Sequence, residues 1–132
     1  MTLLHNNIEE IPRLTSFLDL LAAEKKIDAD SLGGINLALE EAATNVIMYA
    51  YPEGTDGILS IEAIPGDGFI EFVMSDSGKA FDPTAMPDAD VTASADDRPI
   101  GGLGIFLVRQ IMDEVSYERS SDKNILKMKK HR

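Results

Sequence analysis

Apolar and polar positions recur with two different periods along this chain, and the changes of period mark its elements. "MTLLHNN" reads as a short edge strand. From Ile8 to about Lys25, the residues Ile11, Leu14, Phe17, Leu18 and Leu21 fall at the spacing of one helical face. Pro12 fits only the first turn of such a helix. "DADS" offers the start of a second helix, from about Ser31 to Tyr51, which Pro52 and Gly54 stop. Leu32, Ile35, Leu39, Ala42, Val46 and Tyr49 form its core stripe.

Beyond that helix the period shortens. "GILSIEAI" (57–64) and "GFIEFVMSD" (68–76) are rich in β-branched and aromatic residues, and "PGDG" between them is turn chemistry, so they predict a hairpin. Gly78 to Gly101 has no period, three prolines and many Asp, Ala and Ser, which is the character of a long functional loop. "GLGIFLVRQIMDE" predicts a glycine-led helix, and "EVSYERS" and "NILKMKK" a closing hairpin around "SDKN". Strands in antiparallel pairs, separated by helices, predict an α+β fold. Its two layers are helices on one face of a mixed, mostly antiparallel sheet.

Length and composition narrow this picture. The 132 residues suit one domain spanning 1–132, and the absence of cysteine excludes disulfides, Cys-based zinc sites and Cys nucleophiles. The only histidines, His5 and His131, make a poor transition-metal set. A net charge of -11 repels phosphate backbones and anionic lipid, which argues against nucleic acid or membrane as the main partner. That charge serves solubility, or it suits a partner with a basic surface. "MTLLHNNIEEIPR" lacks the pattern of a signal peptide and no run approaches a bilayer span, so the expected location is the cytoplasm.

Candidate chemistry starts in "LALEEAATNVIMYAYPEG" (37–54). On a helix of about 100° per residue, Glu41 and Asn45 lie one above the other beside the core stripe, with Gly34, Ala38 and Met48. Glu40 points the opposite way and is expected to be a solvated charge. The helix alone favours the plainer reading, with Glu41 a surface charge and Asn45 a mere polar neighbour. "MSDSGKAFDP" ends an apolar strand on Asp76, a carboxylate able to accept from an amino group, with Gly78 allowing a flat ring close to the backbone. "IGGLGIF" places Gly101, Gly102 and Gly104 before a helix whose free N–H groups suit phosphate oxygens. No P-loop pattern is present.

Taken in order, "EEAATN", "DSGKAFDP" and "GGLGIFLV" resemble the N box and the two glycine boxes of the Bergerat-type ATP-binding fold, the GHKL superfamily. Within it the chain resembles the anti-sigma-factor serine-protein kinases of the RsbW and SpoIIAB type, in which "AYP" also follows the N box. The resemblance implies ATP and Mg²⁺ as cofactors. It implies that Asn45 holds Mg²⁺, Glu41 is the general base and Asp76 reads adenine beside Gly78. It sets Gly101, Gly102, Leu103 and Gly104 at the phosphates, at the end of an ATP lid of about 78–101, with Arg98 within reach of the γ-phosphate. It implies a STAS-domain anti-anti-sigma protein as substrate, a sigma factor as second partner, and a homodimer.

Two departures stand out. Ala80 occupies the place of the second glycine in the first glycine box, and "DKNILKMKK" lacks the threonine that often supports adenine. The same motifs also fit a non-catalytic module that binds ATP or ADP and switches partners, for which Glu41 is dispensable. Asp88, Asp90, Asp96 and Asp97 make the lid acidic, so it is expected to be mobile without nucleotide.

Overall fold

A computed structural model describes residues 2–51, 56–85 and 102–131 of the protein. Pro52, Gly54, the acidic lid residues Asp88, Asp90, Asp96 and Asp97, Arg98 and Gly101 lie outside the described residues.

The chain opens with strand β1 (Thr2–His5), a 3₁₀ turn (Ile8–Glu10) and helix α1 (Ile11–Lys25). Pro12 sits in the first turn of α1, where its missing N–H has no helical partner to lose. The helix ends at Lys26, which adopts a left-handed φ of 56°, and three residues later the chain is helical again. Helix α2 spans Ala29–Tyr49. It starts two residues before the expected Ser31, because the Asp28 carboxylate caps it by accepting from Ser31 N–H at 2.8 Å. That bond holds the exposed carboxyl of Asp28 below its usual range.

Strands β2 (Ile58–Gly66) and β3 (Phe69–Asp76) form the first hairpin. Gly66 pairs with Phe69 around a turn of Asp67 and Gly68, and Gly68 supplies the positive φ of 79° that this turn needs. Helix α3 spans Gly102–Ile111 and leads into β4 (Glu114–Ser120) and β5 (Lys123–His131). Ser121 and Asp122, with φ of 53° and 61°, make the turn of this second hairpin. Two positive φ values match the twist of the flanking strands.

The sheet order is β1-β2-β3-β5-β4. Every pair is antiparallel, which corrects the expectation of a mixed sheet. The second hairpin therefore docks with β5, not β4, against β3. Along β3 the alternate residues Ile70, Phe72, Met74 and Asp76 are buried, as are Asn124, Leu126 and Met128 along β5. That period of two turns one sheet face toward the helices. Leu14, Leu18, Ile35, Leu39 and Ile105 meet Ile61, Ile70, Phe72, Met74 and Met128 in the core between the layers. Among the described residues, no helix is long and apolar enough to cross a membrane.

Candidate functional site

The C-terminal half of α2 carries the first group of candidates. Asn45 is 1% exposed, and neither its amide oxygen nor its amide nitrogen has a partner among the described residues. An unpaired buried polar group costs about 1–3 kcal/mol. That cost makes the amide a candidate for pairing with a group outside the described residues. An amide oxygen suits a hard cation such as Mg²⁺, and the amide N–H₂ suits a phosphate oxygen. Glu41, four residues earlier on the same face, is half-buried. The start of that face packs on α3: a methyl group on Gly34 would lie 3.3 Å from Ile111 Cγ2. Glu40 departs from expectation. It is not a free charge but accepts from Thr15 Oγ1 of α1 at 3.1 Å.

The second group gathers where β3 ends. Asp76 is 3% exposed, and its Oδ2 accepts from Gly78 N–H at 2.8 Å and from Asn124 Nδ2 at 3.1 Å. Burial raises the pKa of this carboxyl, while the bonds from Asn124 and Gly78 and the Arg119 charge oppose the rise. Burial, and then the Asp76 charge, also pushes up the Tyr51 phenol, whose oxygen accepts from Ser77 N–H at 3.2 Å.

At Gly78 the structure shows a steric reason for glycine. A Cβ at this position would lie 2.5 Å from the carbonyl oxygen of Ala50 and 2.9 Å from Ala50 Cβ, which is closer than atoms pack. Ala50 caps the end of α2, where carbonyls lack helical partners, and its oxygen accepts from Lys79 N–H at 2.9 Å. The end of α2 and the segment leaving β3 are thus held face to face. The Tyr49 ring stacks on Phe81 with centroids 5.3 Å apart and planes at 23°, which extends that contact. Tyr49 is half-buried rather than a core residue. Farther along, the Thr84 carbonyl accepts from the Arg109 guanidinium of α3.

The structure brings Asp76 and Gly78 against the end of the helix that carries Glu41 and Asn45. Gly102, Leu103 and Gly104 form the first turn of α3. Arg98 and Gly101 lie outside the described residues. The sequence reading missed Asn124, 5% exposed, whose amide also donates to Lys79 O at 2.8 Å and accepts from Phe81 N–H at 3.0 Å and Tyr117 OH at 2.5 Å. Its signal was present: Asn124 shares the inward register of Leu126 and Met128, a polar residue where the strand pattern calls for an apolar one.

Comparison with known proteins gives these features a context. A family model described as the histidine kinase-like ATPase domain matches residues 4–130. A relative named serine-protein kinase RsbW from Halalkalibacterium halodurans is 32% identical over 96 residues, covering 70% of this chain and 58% of the relative. One of the same name from Staphylococcus aureus MSSA476 is 33% identical over 97 residues, covering 70% of this chain and 61% of that one. Another, from Listeria monocytogenes EGD-e, is 27% identical over 127 residues, covering 87% and 81%. Among solved structures, the histidine kinase domain of the Erythrobacter litoralis EL346 blue-light activated kinase aligns with a TM-score of 0.57 at 14% identity, over 94% of this chain and 60% of that one. A second structure of that kinase aligns with a TM-score of 0.58 at 16% identity, over 80% of this chain and 31% of that one. Likeness at that identity is a likeness of fold.

Proposed function

The chain belongs to the histidine kinase-like ATPase domain family, the GHKL fold, and from that membership we propose that it is an ATP-dependent serine-protein kinase and anti-sigma factor. The observation that carries this reading is the buried amide of Asn45, unpartnered among the described residues and one helical turn from Glu41. The serine-protein kinases named among its relatives support the same reading.

In this reading Asp76 accepts from the amino group of adenine. The free N–H groups of the first turn of α3, at Gly102, Leu103 and Gly104, face phosphate oxygens, together with Gly101. Asn45 Oδ1 would hold Mg²⁺, which when bound neutralises phosphate charge. Glu41 accepts the proton of the incoming serine hydroxyl as its oxygen bonds to the γ-phosphorus and the bond to the departing ADP breaks. The substrate is a serine of a STAS-domain antagonist, the competing partner a sigma factor, the working form a homodimer, and the location the cytoplasm. A charge of -11 suits a partner with a basic surface.

The test has two parts. Magnesium–ATP at about 100 times its Kd should add roughly 2.7 kcal/mol to stability, and Asn45→Leu should abolish that gain. Labelled ATP should then phosphorylate the STAS protein. No stabilisation at millimolar ATP overturns the nucleotide site. Stabilisation without transfer leaves a nucleotide-responsive binding module and removes the kinase.

A further inference from the structure

We infer that Asn124 is a specificity-determining positioning residue: its amide fixes Asp76 as a hydrogen-bond acceptor, so that the site selects a purine with an exocyclic amino group over its oxo counterpart. This rests on the nucleotide reading of the Asp76 corner. Asn124 stands directly opposite Asp76 in the β3–β5 register, and both side chains point inward.

The geometry leaves the amide one orientation. Its nitrogen faces two acceptors, Asp76 Oδ2 at 3.1 Å and Lys79 O at 2.8 Å. Its oxygen faces two donors, Phe81 N–H at 3.0 Å and Tyr117 OH at 2.5 Å. Turning the amide over would set N–H₂ against N–H and oxygen against oxygen at once. With the nitrogen held toward it, Asp76 Oδ2 receives two donors, the second being Gly78 N–H at 2.8 Å. An oxygen that accepts twice is no place for the carboxyl proton, and two donors favour the charged, acceptor-only form. The pKa causes agree. Burial pushes Asp76 toward its protonated form, and the Asn124 bond is the largest influence the other way, ahead of Gly78 and Arg119. An ionised Asp76 can accept from an amino group at the purine 6-position. A protonated one can donate to an oxo group there. Asn124 decides between them without touching the base.

The experiment is isothermal titration of the full chain with magnesium–ATP and with magnesium–inosine triphosphate, its 6-oxo analogue. Wild type should prefer ATP. Asn124→Leu, which removes the donor at similar bulk, should cut the ratio of the two dissociation constants by roughly tenfold or more, the size of one hydrogen bond to a charged group. Tyr117→Phe, which loosens the amide while leaving the strand intact, should move the ratio the same way by a smaller factor. It decides the matter if the leucine variant does not fold. A merely structural role would weaken both nucleotides alike, so an unchanged ratio in the folded variants overturns the proposal. If wild type binds neither nucleotide, the site reading itself falls and the proposal with it.

Discussion

Replacing Gly78 with alanine sets one methyl group against the joint between α2 and β3. The new Cβ would stand 2.5 Å from Ala50 O, 2.9 Å from Ala50 Cβ and 2.9 Å from Asp76 Oδ2. A carbon meets a carbonyl oxygen no closer than about 3.3 Å even in favourable C–H···O contacts, so close to 1 Å of movement is required. The nearest atom is a backbone carbonyl oxygen, and Ala50 Cβ is fixed to that same backbone, so turning the Asp76 side chain would not make room. Relief comes only by shifting the end of α2 or the segment leaving β3. Either movement strains the bond from Lys79 N–H to Ala50 O at 2.9 Å and the bond from Gly78 N–H to Asp76 Oδ2 at 2.8 Å. Overpacking costs about 1–3 kcal/mol, and each weakened bond about 1 kcal/mol. The smaller unfolded-state entropy of alanine returns about 0.4–1 kcal/mol. The expected net loss is about 2–4.5 kcal/mol, read as a lower urea midpoint at unchanged slope. Nucleotide affinity should fall as well, because Asp76 is displaced. Ala80→Gly, two residues on at an exposed position, is the control and should cost no more than about 1 kcal/mol. Gly78→Ala with stability within about 0.5 kcal/mol of wild type would refute the steric account of this glycine.

Three further outcomes follow from the same geometry. Asp76→Asn keeps an acceptor but removes a buried charge. Since burial raises the folded pKa of Asp76 above the ordinary carboxylate value, the folded state binds the proton more tightly, and stability falls as pH rises through that window. The nucleotide-free variant should therefore melt above wild type at pH 7, converge with it as pH falls below the unfolded value, and lose ATP binding; an equal or lower melting temperature at pH 7 contradicts this. Glu41→Gln should lower phosphate transfer by roughly 10²–10⁴-fold, the range for a general base, with ATP affinity little changed in calorimetry. Phe72→Ala, fully buried in the core, should cost about 3–5 kcal/mol in denaturant unfolding.

The helices and hairpins were legible because each depends on local pattern. Residues 11–21 recur at helical spacing, and Gly68 stands where a tight turn needs a positive φ. Asp28 as the cap of α2 was within reach too, but "DADS" offers Asp28, Asp30 and Ser31 as rival starts, and only the bond to Ser31 N–H decides. What stayed hidden depends on which elements meet. Glu40 faces away from the core stripe on a wheel, yet α1 passes there and brings Thr15 to it. Gly78 read as space for a ligand, because nothing in the sequence says that Ala50 lies against it. Asn124 was passed over because three of its partners, Asp76, Lys79 and Phe81, lie more than 40 residues away in sequence and meet it only through the β3–β5 pairing. The pairing of Glu41 with Asn45 on one face needed only the helical repeat. The unpaired state of the Asn45 amide needed the structure.

The sheet order carries a consequence for how the protein comes into being. Asp76 and Asn124 are 48 residues apart in sequence, and β5 enters the sheet between β3 and β4. While the chain is being synthesised, β3 leaves the ribosome long before β5 and waits as an open edge. Until the second hairpin slots in, Asp76 lacks its Asn124 donor and Phe81 N–H lacks the Asn124 oxygen. The Asp76–Asn124 corner is thus among the last parts to be assembled. A nascent or truncated chain without that hairpin lacks Leu126, Met128 and Asn124, and with them part of the core and the donor to Asp76. Under the nucleotide reading, ATP binding would then report completion, because only a molecule whose sheet has closed would bind it.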